Sequence, residues 1–388
     1  MSRIDKLIAD LCPDGVEFKP LGDMGSFTRG NGLQKNDLLG EGTPAIHYGQ
    51  VHTLYGTWTT QTKSFISPEL ASKLRRAKQG DLVIATTSED DDAVAKATAW
   101  LGHDEAAISG DAYIYRHCLN PKYVAYFFQS GSFQEQKKRH ITGAKVRRIS
   151  GESLGKIRIP VPPLEVQREI VRVLDKFTQL EAELEAELEA RHHQYKYYQK
   201  TLLTPADKSY HTASLGELFE LRAGKFIPAT LITPERDAEH PIPCFGGGGL
   251  RGYVSSHNQN GDLVLIGRQG ALCGNVKRAS GKFYATEHAV VVSPKSAVDI
   301  RWAFHLLSHM NLNQYASKSA QPGLSVNMLK QLSVPVPPFP VQVATASILD
   351  KFDSLVNDLS VGLPAELAAR RKQYEYYRDR LLTFEEKR

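Results

Sequence analysis

The chain has 388 residues, 41% of them apolar, and a formal net charge of +5. That length predicts two domains, and the composition is that of a globular protein, which sets aside disordered and fibrous classes. No apolar run reaches eighteen residues, which sets aside a membrane span, and Met1-Ser2-Arg3-Ile4-Asp5 lacks the apolar stretch of a secretory signal. Cys12, Cys118, Cys244 and Cys273 stand alone without metal-ligand spacing, which suits a reducing cytoplasm. The mild positive charge permits an anionic partner without requiring one.

Residues 1–158 carry short Val/Ile runs between glycine-containing loops, the pattern of a β-rich domain. It opens with Leu21-Gly22-Asp23. Further on, Gly80-Asp81-Leu82-Val83 predicts a turn and a strand, with Ala85-Thr86-Thr87-Ser88 as the loop behind it. Residues 159–206 form a different kind of segment. Pro160, Pro162 and Pro163 fix an extended lead that cannot lie inside a helix. Val166, Ile170, Leu174 and Phe177 then fall at helical spacing, and Leu180, Leu184 and Leu188 continue it through the tandem tetrapeptides of EAELEAELE, residues 181–189. A helix from Val166 to Leu203 would run about 57 Å at 1.5 Å per residue, a spacer rod.

Residues 207–333 repeat the outline of the first domain. Leu215-Gly216-Glu217 opens it, and Gly261-Asp262-Leu263-Val264 leads into the loop Gly267-Arg268-Gln269-Gly270. Residues 334–388 are again helical, with Leu355, Leu359, Leu363 and Leu367 as the matching stripe and Gly362-Leu363-Pro364 predicting a kink or break. An apolar stripe on a charged helix needs a cover, and the two helical segments are expected to supply it to each other, packed antiparallel.

The chain is in effect written twice. PVPPLEVQREIVRVLDKF at 160–177 and PVPPFPVQVATASILDKF at 335–352 agree at ten of eighteen positions. QYKYYQKTLLT from Gln194 and QYEYYRDRLLT from Gln373 agree at seven of eleven. The start of the chain, Lys6-Leu7-Ile8 followed by Val16-Glu17-Phe18-Lys19-Pro20-Leu21-Gly22, resembles the passage from Leu202-Leu203 into Leu215-Gly216. The N-terminus is therefore expected to complete what the C-terminal helix ends, in a circular two-fold plan.

This order of motifs resembles the specificity subunits of type I restriction-modification enzymes, and it is most similar to the subgroup with tandem tetrapeptides in the central spacer. The residues that carry the likeness are the paired Pro-Val-Pro-Pro leads, Leu-Asp-Lys-Phe at 174–177 and 349–352, the Glu-Ala-Glu-Leu repeats and the two Gln-Tyr-x-Tyr-Tyr tails. The resemblance implies an α+β fold in which two β-containing target-recognition domains are separated by two long antiparallel coiled-coil helices. It further implies that each domain reads one half of a gapped, asymmetric site on double-stranded DNA. Two methyltransferase subunits and restriction/translocase subunits are the implied protein partners, in the cytoplasm and away from membranes. S-adenosylmethionine, ATP and Mg2+ belong, by the same resemblance, to those partners, and this chain binds no cofactor. The rival readings are a coiled-coil assembly scaffold and a single-chain DNA methyltransferase.

Catalytic signatures are missing from the sequence. Phe245-Gly246-Gly247-Gly248-Gly249 contains the F-x-G-x-G of S-adenosylmethionine loops, but no Asn-Pro-Pro-Tyr or Asp-Pro-Pro-Tyr accompanies it, so it reads as a turn that approaches DNA closely. Asp14 and Glu17 stand too near each other for a nuclease metal site, and no GxxxxGK[ST] phosphate loop occurs.

Reading bases needs long polar side chains on loops, Arg or Lys for guanine and Asn or Gln for adenine. In the first domain Arg29, Asn31, Gln34, Lys35, His47, Tyr48 and Gln50 qualify, with Thr87 and Ser88 in the loop after the Gly-Asp-Leu-Val strand. Lys137, Lys138, Arg139, Lys145, Arg147 and Arg148 read as a phosphate-contacting patch. In the second domain the candidates are Arg222, Lys225, Phe245, Arg251, Arg268, Gln269, Lys318, Gln321 and Asn327.

Overall fold

Leu164 starts a helix that runs unbroken to Leu203, 40 residues of mostly strong helix formers behind the proline lead. The computed structural model describes residues 3–204, 210–270, 272–295, 297–317 and 322–387; Lys318 and Gln321 lie outside them. Two compact units result, one from residues 1–183 with 367–388 and the other from 184–366. The helical segments expected as separate pieces are thus divided between the units.

In the first unit a five-stranded sheet has the order Gly25–Arg29, Ala112–His117, Leu82–Ala85, Lys96–Trp100, Trp58–Thr59. A four-stranded sheet has the order Ser64–Ile66, Thr43–Ile46, Ala106–Ile108, Arg76–Ala77, with the central pair parallel. The second unit repeats the plan. One sheet runs Phe219–Ala223, Ala289–Pro294, Leu263–Gly267, Val276–Ala279; the other runs Gly249–Val254, Ile242–Gly246, Lys282–Ala285, Gln259–Asn260, again with a parallel central pair. Each unit also has a two-stranded ribbon leading into its proline segment, Phe18–Pro20 with Arg158–Pro160 and His211–Ser214 with Ser333–Val336.

The apolar stripe of each repeat begins by facing a globular core rather than a partner helix. Val166, Ile170 and Leu174 are buried among Tyr123, Val124 and Phe127 of the first unit, and Ala346 and Leu349 among Trp302, Ala303 and Leu306 of the second. A buried glutamine fastens each joint. Gln167 accepts a hydrogen bond from the Asn120 amide (2.9 Å) and donates to the Pro162 carbonyl (2.8 Å). Gln342 repeats this with the Asp299 amide (3.0 Å) and the Pro337 carbonyl (2.9 Å). Next to it, Asp175 accepts from Tyr126 (2.8 Å) and Lys122 (2.7 Å). Asp350 takes His305 (2.8 Å) and Arg301 (3.6 Å) in the same places. Burial holds the His305 pKa below its ordinary value, so the imidazole is favoured neutral.

The Gln-Tyr tails exchange homes. Tyr374, from the C-terminal helix, donates to Gln129 in the first unit (2.9 Å), and Leu382 is buried in that core. Tyr195, from the central helix, reaches Asp353 (3.2 Å) and His305 (3.3 Å) in the second unit, whose core takes Leu203. The helices of the first unit run antiparallel, with Phe177 stacked on Tyr377 and Glu181 paired to Arg371. The circular plan holds at the terminus too: the Val16 amide donates to Glu385 (2.8 Å), the Lys387 amide to Val16 (3.0 Å), and Arg158 pairs with Glu386 (2.6 Å).

The C-terminal segment breaks where glycine and proline predict, between helices Phe339–Asn357 and Leu363–Leu381. Leu359 falls in that break and is 83% exposed, so it is not part of the stripe. Leu363 and Leu367 are buried and Leu188 packs on the second core, Leu184 is half-buried, and Leu180 and Leu355 are exposed.

Candidate nucleic-acid interface

At one end of each main sheet a three-residue segment organises the surrounding loops. In the first unit it is Ser109-Gly110-Asp111. Arg29, at the end of its strand, donates to the Gly110 carbonyl (2.7 Å) and lies 3.4 Å from the Asp111 carboxylate. The Tyr48 amide donates to the Ser109 hydroxyl (2.8 Å), and Thr86 gives both its amide and its hydroxyl to the Asp111 carbonyl (3.0 Å each). In the second unit the same place is held by Thr286-Glu287-His288. The Arg268 amide donates to the His288 carbonyl (3.0 Å), the Thr286 amide to Phe245 (2.9 Å), and Lys225 bridges to Thr286. Both frames depend on a glycine. A Cβ on Gly30 would sit 2.2 Å from the Ser109 carbonyl oxygen, and one on Gly224 would sit 2.3 Å from that of Ala285. Only glycine lets the strand end come that close.

This frame gathers much of what the sequence singles out. Thr87 and Ser88 form a short strand paired with Arg147 and Arg148, joining two candidate segments far apart in the chain. His52, unnoticed in the sequence, meets the Thr87 carbonyl through Nε2 (3.0 Å) and lies on the helix Tyr48–Thr53. Burial lowers the pKa of both His47 and His52, so both are favoured as neutral rings. In the second unit the glycine run 246–249, Arg251, Gln269 and His288 line one cleft of about 680 Å3. The turn before Asn327 is tied in as well, since the Leu324 amide donates to the Arg268 carbonyl (2.8 Å), and Asn327 itself is exposed.

Several candidates are committed to the frame. Asn31 uses both ends of its amide, donating to the Lys73 carbonyl (3.2 Å) and accepting from the Arg75 amide (2.8 Å). Gln50 caps the His47 amide (3.0 Å) and donates to Ser64 (2.7 Å), while His47 accepts from Gly49 (3.2 Å). Gln34 is likewise half of a cap, with Asp37. Phe245 turns inward and meets Phe283 edge-on at 5.7 Å, so it packs rather than probes. Arg222 is exposed but paired with Glu220. Lys35, Lys225 and Arg251 are exposed; Arg268 is half-buried, with its Nε unpartnered.

The basic patch is smaller than the sequence implies. Lys137 is fully buried, and its ammonium donates to the carbonyls of Asp92 (3.0 Å) and Val94 (2.9 Å). Burial pulls its pKa down to about 8. It holds a loop and is not a phosphate contact. Arg147 is paired with Asp91 (2.8 Å), inside the exposed acidic run Glu89–Asp92 that the sequence reading passed over. Lys138, Arg139, Lys145 and Arg148 remain exposed. Among the described residues no three His, Cys, Asp or Glu side chains group as a metal site, and no helix is long and apolar enough to cross a membrane.

Fold and surfaces together define a protein that presents two different polar faces on one duplicated frame. The sequence profile of the type I restriction modification DNA specificity domain matches residues 13–190 and 208–369. The specificity subunit of the type I restriction enzyme EcoprrI of Escherichia coli is 46% identical over 259 residues, 63% of this chain and 64% of that protein. The match thus spans slightly less than two thirds of that relative. The EcoR124I/EcoR124II specificity subunit of Escherichia coli is 30% identical over 318 residues, 74% of this chain and 78% of its own length. The S subunit of a type I restriction-modification system from M. genitalium shares the fold, with a TM-score of 0.62 at 15% identity over 95% of this chain and 96% of that one. The chain belongs to the type I restriction-modification DNA specificity family.

Proposed function

We propose that this chain is the non-catalytic specificity subunit of a type I restriction-modification complex and reads a gapped, asymmetric site on double-stranded DNA, one half per unit. The observation that carries this reading is the repeated strand-end frame with different side chains on it. One copy displays Arg29, Tyr48, Thr87 and Asp111, the other Lys225, Arg251, Gln269 and His288. One frame with two sets of polar groups suits two different short sequences, because base edges are distinguished by their donors and acceptors. The exposed Lys138, Arg139, Lys145 and Arg148 supply phosphate contacts in the first unit.

The repeated proline leads and Gln-Tyr tails give two related helical surfaces, which fits two identical methyltransferase subunits. Restriction/translocase subunits join them, and S-adenosylmethionine, ATP and Mg2+ are held by those partners, in the cytoplasm. The central helix with its tetrapeptides sets the gap. The test is methylation mapping of the assembled complex on random DNA, with DNA affinity measured against salt. Two unlike half-sites at a fixed gap, and affinity that falls with salt, are the expected results. Methyl transfer by the purified chain alone would refute the reading.

A further inference from the structure

The cleft of the second unit is lined by backbone from Gly246 to Gly249, by the exposed Leu250 and Leu272, and by the polar side chains of Arg251, Gln269 and His288. Thr286 lies beneath it, 0% exposed, with its hydroxyl unpartnered and 3.7 Å from where a Cβ on Gly246 would be. The orientation of Gln269 decides what this cleft can accept. Its Oε1 lies 2.5 Å from Nδ1 of His288. An amide oxygen only accepts, so Nδ1 carries the proton and donates. On its other side Nε2 lies 3.3 Å from the Glu287 carboxylate, which also only accepts, so the two contacts are made together by the doubly protonated ring, donating from both nitrogens. The Gln269 carboxamide is therefore fixed by its oxygen, and its NH2 group is the end displayed.

Reading adenine requires both ends of a glutamine at once, the oxygen for the N6 amino group and the nitrogen for N7. Here the oxygen is engaged. What remains is a donor, and Arg251 in the same cleft adds further donors. The major-groove edge with two adjacent acceptors is that of guanine, O6 and N7; thymine offers O4 alone and leaves a donor unmet. We propose that this cleft takes the O6/N7 edge of a guanine in the half-site read by the second unit, with Gln269 as the specificity-determining donor and His288 as the positioning residue that selects guanine over adenine. This rests on the reading of the chain as a DNA specificity subunit.

The experiment is methylation mapping on random DNA with the full chain in its assembled complex, wild type against Gln269→Ala, His288→Ala and His288→Asn. One half-site of the wild type should contain a guanine whose preference falls at least tenfold in Gln269→Ala. In His288→Ala the carboxamide is free to turn, and adenine should be accepted at that position alongside guanine. His288→Asn, whose amide nitrogen can replace Nδ1–H, should restore guanine. The other half-site should stay unchanged in all three and so reports that each variant is folded. A purely structural role for His288 would lower methylation without altering base preference, and that result overturns the proposal. So does an unaltered half-site in Gln269→Ala, or a base other than guanine at the affected position. A wild type with no sequence requirement would instead remove the underlying reading.

Discussion

Replacing Gln167 or Gln342 by methionine tests the duplicated joint with its own internal control. Methionine nearly preserves volume, and the sites are 3% and 2% exposed, so the substitution mainly deletes hydrogen bonds. Gln167→Met leaves the Asn120 amide and the Pro162 carbonyl without partners; Gln342→Met does the same to Asp299 and Pro337. A buried group left unpaired costs about 1–3 kcal/mol, and two of them about 2–5 kcal/mol, offset in part by easier burial of the thioether. For units of this size about 1 kcal/mol lowers Tm by roughly 2–4 °C, so a fall of about 5–15 °C is expected from each variant. Calorimetry measures the fall, and amide exchange locates it: protection at residue 120 should drop only in Gln167→Met, and at residue 299 only in Gln342→Met. The corresponding bonds agree within 0.1 Å, so the losses should be similar. Two silent variants, or one silent and one severe, would refute the idea that these glutamines hold the joints.

Lys137→Ala should lower the stability of the first unit by about 1–3 kcal/mol through its two orphaned carbonyls and leave the salt dependence of DNA binding unchanged, whereas Arg148→Ala should lower the salt slope by about 1; urea titration and binding at several salt concentrations separate the two. His117 accepts the Leu119 amide (3.2 Å) while its Nε2 is buried without a partner, and burial lowers its pKa to about 4. The unfolded ring takes up a proton near pH 6.5, so stability should be complete above that pH and decline toward pH 4 by on the order of 2–3 kcal/mol, a slope that His117→Asn should flatten in urea midpoints. Removing or duplicating Glu181–Leu184 changes the central helix by about 6 Å of rise and about 40° of net turn; methylation mapping should show both half-sites kept and the gap altered by about one or two base pairs, and an unchanged gap would remove the spacer role. A chain ending at Thr204 keeps one Gln-Tyr tail and lacks the one its own unit uses, so it should pair with a second copy and read a gapped palindrome; a soluble monomer in sedimentation would contradict the exchange of tails.

The features legible in the sequence were the local and repeated ones. Helical spacing, the proline leads and Gly362-Leu363-Pro364 all act within a few residues, and the structure follows them. The strand-end frames were not legible because they rest on distant pairings. Thr43–Ile46 lies parallel to Ala106–Ile108, and nothing near either segment announces the other. Ser109-Gly110-Asp111 and Thr286-Glu287-His288 have only ordinary polar residues before a strand to mark them. Lys137 differs from expectation because three adjacent cations have the pattern of one solvated patch. Lys137 and Lys138 end the helix Gly131–Lys138 and point in different directions, Arg139 caps it, and Lys137 shares the buried face of Phe133, four residues earlier. That i, i+4 pairing was the available signal. Leu359 failed for the opposite reason, since a four-residue spacing means nothing once the helix has stopped at Asn357.

The two units divide their interactions in a way that separates holding the fold from displaying a surface. At the joints, buried side chains form the bonds: the glutamines are the same, and Asp175 with Tyr126 and Lys122 becomes Asp350 with His305 and Arg301. A change there must be answered by its partner, because an orphaned buried group is expensive. At the strand ends much of the frame is bonded by backbone. The Arg268 amide donates to the His288 carbonyl and the Thr86 amide to that of Asp111, and neither bond depends on which side chain residue 111 or 288 carries. Gly30 and Gly224 are fixed by the close approach of carbonyls. Side chains such as Gln269, Arg251 and Lys35 project from this frame, so replacing them alters the donors and acceptors on view while leaving its main-chain bonds in place. A chain built this way can change the donors and acceptors it displays without rebuilding the bonds that hold each unit's joint together.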